Sequence, residues 1–187
     1  MSTLDRIVGR EHPDPHSVLG AHQVNGSVVV RAFRPDAERI SVLVEGDRKP
    51  VELGRAHPGG VFEGTVEGKL PLRYELEVAY PDGSTFTLRD PYAFPPTLGE
   101  MDVHLAGEGR HEELYCRLGA HLRELEGVTG VSFAVWAPAA RAVSVVGDFN
   151  SWDGRLLPMR AMGASGIWEL FIPDVNADPP APRYKYE

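Results

Sequence analysis

The chain has 187 residues, 42% of them hydrophobic, and its 27 acidic against 19 basic side chains give a formal net charge of −8. This is the composition of a globular protein, and it excludes an intrinsically disordered chain. Lys and Arg do not cluster, so DNA and RNA are poor candidate partners and a neutral ligand is easier to accommodate. The single cysteine, Cys116, excludes an internal disulfide and a multi-cysteine metal site.

The distribution of apolar residues, Gly and Pro along the sequence, together with the single cysteine, predicts a cytoplasmic, all-β protein. No apolar run is long enough to cross a membrane, and the N-terminus MSTLDR lacks the apolar core of a signal peptide. A lone cysteine also suits a reducing compartment. Gly and Pro, with 20 and 16 residues, are spread between short apolar runs, which is typical of strands joined by many turns.

The first predicted element is a short helix that ends at Val8, because Ser2 can cap it with Asp5 three residues later. Three histidines then lie close to Asp14 in HPDPHSVLGAH, residues 12–22, a composition that can bind a metal. Two prolines in this stretch hold its backbone extended. We therefore interpret it as a lead-in to the first sheet, and we predict neither a metal nor a cofactor.

Three segments of the chain occur twice in the same order, which indicates a duplicated domain. The matched pairs are 30–43 with 133–146, 60–63 with 166–169, and 73–76 with 183–186. Short strands at these spacings are typical of an immunoglobulin-like β-sandwich. The first copy continues into a hairpin over residues 74–88, whereas Glu187 falls inside the corresponding strand of the second copy. From this we expect the chain to be the N-terminal part of a longer protein.

Between the two copies the sequence predicts a proline-rich linker, Asp90–Thr97, and one helix, Glu112–Leu125, whose leucines recur at helical spacing. The predicted fold is all-β, with two consecutive immunoglobulin-like β-sandwich domains joined by this linker and helix. The predicted ranges are 1–106 for an N-terminal accessory sandwich with an extended arm, 107–130 for the linker helix, and 131–187 for a second sandwich that is truncated at its C-terminal end.

The loop Gly147–Gly154, GDFNSWDG, follows the second copy's strands and packs two large aromatic rings among turn-forming residues. In one interpretation Trp152 is a platform for the apolar face of a sugar, with Asn150 and Lys185 binding hydroxyls. In the other, Trp152 plugs the end of the sandwich and Lys185 is merely solvated. The spacing leaves both open. The first copy has Glu45-Gly46-Asp47-Arg48 at this place, so a ligand site is expected in the second copy only.

Catalytic motifs are missing from the sequence. It contains no Ser/His/Asp order, Gly-rich phosphate loop or helix-borne metal motif. Asp148, Asp153 and Glu169 can be imagined as an acid/base pair, but turn formation explains the two aspartates. Two small sandwiches also offer no deep cleft in which a carboxyl pKa would rise. We therefore predict no catalytic residue.

Two sets of segments resemble known families. FAVWAPAARAVSVVGDFNSWDG, SGIWEL and RYKYE resemble the family 48 carbohydrate-binding modules that precede the catalytic barrel in starch- and glycogen-acting enzymes of glycoside hydrolase family 13. HPDPHSVLGAH, the segment RDPYAFPPTLGEMDVHLAGEGRHEELYCRLGAHL and the duplicated module are similar to the N-terminal region of bacterial glycogen branching enzymes.

These resemblances imply a parent enzyme that cleaves an α-1,4 glucan and transfers the cut chain to an α-1,6 position. Its catalytic carboxylates would lie in a barrel of about 250 residues, which this chain cannot contain, so the chain itself is expected to be inactive. The implied partners are α-glucan (glycogen and maltooligosaccharides) and the missing barrel. By the same resemblance Trp152 stacks on glucose and Lys185 binds it. The alternatives are part of a debranching or trehalose-forming relative, or a protein-interaction module.

Overall fold

The computed structural model describes residues 2–46, 49–176, 178 and 181–187. The chain divides into two compact units, Met1–Ala93 and Phe94–Glu187. In the part of the chain that the structure describes, no helix combines the length and the apolar character needed to cross a membrane.

The described residues of the first unit form one α-helix and seven strands. They are α1 Thr3–Val8, β1 Gly20–Val24, β2 Ser27–Phe33, β3 Arg39–Val44, β4 Val51–His57, β5 Val61–Val66, β6 Tyr74–Ala79 and β7 Thr85–Arg89. The strands are antiparallel in the order β1-β2-β5-β4-β3-β6-β7. Strands β2 and β6 are far apart in this order but share one core, so the sheet folds over on itself as a sandwich.

The second unit repeats this plan in two separate sheets. Its elements are α2 Glu100–Gly107, β8 Gly119–Leu125, β9 Val128–Trp136, β10 Val145–Gly147, β11 Arg160–Ala161, β12 Ile167–Pro173 and β13 Tyr184–Tyr186. One sheet has the order β11-β12-β9-β8, and the other pairs β10 with β13. The sheets face each other, because the ring of Phe133 on β9 lies 5.0 Å from that of Tyr184 on β13. The all-β prediction is confirmed.

The register of strand pairing confirms the duplication. Phe33 pairs with Val61 in the first unit, and the matched Trp136 pairs with Ile167 in the second. Val42 pairs with Leu76, as the matched Val145 pairs with Tyr186. Hydrogen bonds outside the strands repeat as well, since Arg34 N donates to Gly60 O over 2.9 Å and Ala137 N donates to Gly166 O over 2.8 Å.

The predicted helix over Glu112–Leu125 is wrong. Residues 119–125 form strand β8, which pairs with β9, and the helix of this unit lies earlier, at Glu100–Gly107. Gly119 has a φ of +92°, which no right-handed helix accommodates, and Glu126 and Gly127 both have positive φ. Two such residues between antiparallel strands form a hairpin turn rather than a helix end. The predicted domain ranges remain a prediction, but the range 107–130 holds strands instead of a helix.

Two predictions for the N-terminal residues agree with the structure. Helix α1 is confirmed, with Ser2 and Asp5 forming the reciprocal capping box that the sequence predicts. In the histidine-rich stretch Val18 and Leu19 are buried, as expected for a segment that packs on the sheet. His16 packs edge-on against Tyr92, with ring centroids 5.0 Å apart. Among the described residues no group of three or more His, Cys, Asp or Glu is arranged to hold a metal ion.

Candidate functional site

The loop Gly147–Gly154, here called the aromatic loop, begins where β10 ends and has an unusual backbone conformation. A 3-10 turn over Asp148–Asn150 is followed by Ser151 and Trp152, whose φ angles of +55° and +62° lie in the left-handed region. Non-glycine residues seldom adopt this region, and each such residue costs on the order of 1 kcal/mol or more. The surrounding contacts therefore hold this loop in one defined shape.

Asn150 provides most of that restraint from inside the loop. Its side chain is buried, and its Oδ1 accepts a hydrogen bond from Gly147 N over 2.8 Å. Its Nδ2 donates to Val145 O and Asp153 O over 3.1 and 3.2 Å. Both amide hydrogens are thus used within the protein. The contribution that this geometry supports is to hold the loop, rather than to reach a ligand at the surface.

The two aromatic rings of the loop have different environments. Phe149 is half-buried, and its ring centroid lies 5.5 Å from that of the core residue Phe133. Trp152 keeps 41% of its surface exposed. Phe149 therefore fills the end of the sandwich, and the indole of Trp152 remains on the outside with apolar surface available.

Asp148 fixes the orientation of that indole. Its Oδ1 accepts the Nε1–H of Trp152 over 3.0 Å, and its Oδ2 accepts the backbone N–H of Arg183 over 3.0 Å. The Arg183 guanidinium lies 3.3 Å from the same carboxylate, with its side chain 81% exposed. The Arg183 backbone N–H, then its guanidinium and then the Trp152 indole lower the pKa of Asp148 below its usual 3.8.

Lys185 lies on the neighbouring strand, opposite Val146. Its side chain is exposed and makes no ion pair or hydrogen bond with another described residue. Tyr186 points the other way, with its hydroxyl 3.1 Å from the carbonyl oxygens of Gly119 and Ala134. Lys185 therefore points away from the face that Tyr184 and Tyr186 share. Arg183 is exposed like Lys185, two residues before it in the chain. Arg183 and Trp152 both bind Asp148, which connects them.

Sequence alone does not single out Asp148 and Arg183 as parts of this arrangement. Asp148 fits a turn, and Arg183 stands out only as one member of a repeated segment. The internal repeat could have predicted their contact. Because β10 pairs with β13, Asp148, which follows β10, lies next to Arg183, which precedes β13. Asp148 N donates to Arg183 O over 3.1 Å at this point.

The three carboxylates considered for acid/base chemistry are each bound elsewhere. Asp148 holds Trp152 and Arg183, and Asp153 pairs with Arg155 over 2.7 Å. Glu169 is fully buried against Arg160. The pKa of Asp148 is lowered by its partners, which is the opposite of what a general acid at neutral pH needs.

Acidification should release the indole, because protonated Asp148 can no longer attract Arg183. Since hydrogen bonds from Arg183 lower the pKa of this carboxyl in the folded state, their stabilisation persists above the usual 3.8 and disappears as pH falls below it. The Trp152 indole N–H resonance should therefore stay constant as the pH falls from neutral toward the usual 3.8 and shift as the pH falls below it. Asp148→Asn should produce the shifted resonance already at neutral pH.

The matched control is Asp82→Asn. Asp82 is another exposed aspartate whose pKa is lowered, in this case by Ser84 in the first unit. This substitution should leave the Trp152 resonance unchanged. A Trp152 resonance that is the same in Asp148→Asn and in the unaltered chain would contradict the role given to Asp148.

Comparison with known families places both units. Residues 117–187 match carbohydrate-binding module 48, described as the isoamylase N-terminal domain, and so belong to this class of β-sandwich modules. Residues 1–92 match the N-terminal domain of the alpha-1,4-glucan branching enzyme GlgB. Both resemblances seen in the sequence are thereby confirmed, one for each matched domain.

Individual relatives agree with these family matches. The chain is 58% identical over 185 residues to the 1,4-alpha-glucan branching enzyme GlgB of Myxococcus xanthus, covering 98% of this chain and 24% of that protein. It is 55% identical to the enzyme of the same name from Frankia casuarinae, covering 98% of this chain and 23% of that protein. The chain thus spans about a quarter of the length of these relatives.

A similarity to solved structures is much weaker. Pullulanase from Anoxybacillus sp. LM18-11 matches with 15% identity and a TM-score of 0.28, over 89% of this chain and 23% of that chain. A likeness at this level carries no argument about function.

Proposed function

We propose that the second unit binds α-glucan through Trp152, as the non-catalytic N-terminal part of a glycogen branching enzyme. The observation that carries this proposal is the indole of Trp152, 41% exposed and held by its own N–H on Asp148. An exposed aromatic face is a good surface for the apolar side of a pyranose ring. Because the ring is fixed before the ligand arrives, binding loses little side-chain entropy.

The side chains around the indole supply hydrogen-bonding groups of the kind that sugar hydroxyls need. Lys185 and Arg183 present exposed donors, and Asp148 presents acceptor oxygens next to the ring. Asn150 acts as a positioning residue in this proposal, since its amide is used within the loop. Glucan contact is thereby assigned to Trp152 and Lys185, with Asn150 holding the platform beneath them.

The affinity expected from this surface is low. One indole face that covers a glucosyl ring removes on the order of 100 Å² of apolar surface from water, worth about 2.5 kcal/mol. A few hydrogen bonds to hydroxyls add about 1 kcal/mol each, and ordering the ligand reduces the sum. The result is near the roughly 4 kcal/mol of a millimolar dissociation constant. A polymeric glucan, which offers many sites, should bind more visibly than short maltooligosaccharides.

We propose that the whole protein forms α-1,6 branches in glycogen by transferring cleaved α-1,4 chains. Its relatives are named 1,4-alpha-glucan branching enzymes, which supports this proposal. In this proposal the catalytic barrel of the whole protein is the partner of the two units. The two units hold or position the glucan for the barrel. We place the protein in the cytoplasm, where the exposed free thiol of Cys116 would remain reduced.

Trp152→Ala should abolish retention of the chain on a glycogen-containing native gel. The substitution removes the platform but should change the melting temperature little, since much of the ring is exposed. Trp136→Ala is the matched control, because Trp136 is also exposed, at 57%, but lies on β9 outside the aromatic loop. This control should keep the retention of the unaltered chain.

Two results would count against the proposal. If Trp152→Ala lost about 3 kcal/mol or more of stability, as truncation of a buried aromatic does, Trp152 would be a core residue. If Trp152→Ala and Trp136→Ala were retained equally on glycogen, the platform assignment would be wrong.

A further inference from the structure

The first unit carries a groove of about 480 Å³ at one end of its sandwich. This volume lies within the range of about 300–1,000 Å³ of small-ligand pockets. Three charged side chains and three apolar ones contribute to its lining: Glu45, Glu67 and Arg73, with Val44, Pro71 and Leu72.

The groove occupies the place in the first unit that the Trp152 loop occupies in the second. Glu45 N donates to Arg73 O over 3.0 Å, as Asp148 N donates to Arg183 O. The strand residues before these donors also correspond, because Val44 pairs with Tyr74 as Gly147 pairs with Tyr184. Glu45 and Arg73 are therefore the structural counterparts of Asp148 and Arg183.

The charged residues of the groove differ from those of the aromatic loop in one respect. Asp148 and Arg183 bind each other, whereas the exposed side chains of Glu45, Glu67 and Arg73 form no ion pair with any described residue. Carboxylates that accept hydrogen bonds and a guanidinium that donates them are thus available in one concave surface. Val44 and Leu72, which are half-buried, also line the groove and add some apolar surface to it.

We propose that this groove is a second carbohydrate site, which takes a glucosyl unit of an α-glucan. Carboxylate acceptors, a guanidinium donor and a smaller share of apolar lining fit a neutral polyol with one apolar ring face. A phosphate would be repelled by the two carboxylates, and a hard cation would be repelled by Arg73. The inference rests on the proposed function for the identity of the glucan, and it revises the expectation that only the second copy binds a ligand.

Titration of the uniformly 15N-labelled full chain with maltoheptaose tests the inference by NMR. We expect amide shifts at Glu45, Gly68 and Arg73 in addition to shifts in the aromatic loop. In Trp152→Ala the loop shifts should disappear and the groove shifts should remain. Arg73→Ala should raise the dissociation constant of the groove about tenfold, the equivalent of about 1.4 kcal/mol.

Arg39→Ala is the matched control, since Arg39 is an exposed arginine at the opposite end of β3. It should leave the groove shifts unchanged. Arg73→Gln keeps donor groups without the charge, so partial recovery of binding in this variant would show that Arg73→Ala did not act through misfolding.

The outcomes separate the two proposals. Shifts confined to the aromatic loop would overturn the groove site and leave the Trp152 platform intact. Shifts in neither place would overturn both. Groove shifts that Arg73→Ala does not weaken would place the ligand outside this groove and contradict the inference.

Discussion

Replacing Glu169 with alanine should lower the free energy of unfolding of the second unit by about 3–5 kcal/mol, the range found when one partner of a buried ion pair is removed. Glu169 is completely buried in strand β12 and binds Arg160, which is itself buried. Without the carboxylate, the guanidinium of Arg160 would remain charged and buried, and it would lose its ion pair with Glu169.

The second oxygen of Glu169 adds to the expected loss. Its Oε2 accepts the hydroxyl of Thr97 over 2.6 Å and the backbone N–H of Thr97 over 3.1 Å. These bonds hold the segment that includes Leu98, which packs with Ala134 and Ile167 against the same sheet. Removing the carboxylate should therefore loosen this segment together with β12.

Tryptophan fluorescence in urea measures this change directly, because all three tryptophans of the chain, Trp136, Trp152 and Trp168, lie in the second unit. The duplication supplies a matched control in Glu63→Ala. Glu63 occupies the corresponding position and pairs with Arg31, but its side chain is 39% exposed. Exposed pairs contribute about 1 kcal/mol or less, so this control should be nearly neutral. Equal losses in the two variants would contradict the argument.

The sequence predicted the duplicated sandwich because apolar alternation and repeated turns are local signals. The sequence match of Phe33 with Trp136 agrees with the structure, because the two residues have corresponding partners in the paired strands. The helix prediction failed because it relied on the leucine spacing of residues 114–125, whereas strand β8 exposes Leu122 and turns Leu125 to the opposite face. The repeated LGAH, at Leu19–His22 and Leu118–His121, pointed to the strand. In both copies the histidine Nε2 lies within 2.9 Å of the preceding leucine carbonyl oxygen.

The candidate site was predictable in its residue types but less so in their roles. An aromatic ring among turn formers singled out Trp152, and alternation placed Lys185 at the surface. Composition could not show that Asn150 is buried, because an asparagine in a loop is equally suited to solvent and to backbone carbonyls. The roles of Asp148 and Arg183 depend on a contact between residues far apart in the chain, which only the folded pairing brings together.

Asn150→Ala should destabilise the second unit by about 3 kcal/mol and also abolish retention on glycogen. The truncation leaves the buried Gly147 N–H without its acceptor and the Val145 and Asp153 carbonyls without their donor. Each buried polar group left unsatisfied costs about 1–3 kcal/mol. Without this restraint the left-handed conformation of Ser151 and Trp152 should relax, since a non-glycine residue holds it only under constraint.

Urea unfolding followed by tryptophan fluorescence, together with native gels that contain glycogen, measures both effects. Asn176→Ala is the control, because Asn176 is an exposed asparagine of the same unit whose bond to Asp178 lies at the surface. It should change stability by no more than about 0.5 kcal/mol and keep glycogen retention. If Asn150→Ala instead lost retention at unchanged stability, Asn150 would contact the glucan directly. The role of loop support would then be wrong, because the two effects should be inseparable when one buried amide holds the platform in place.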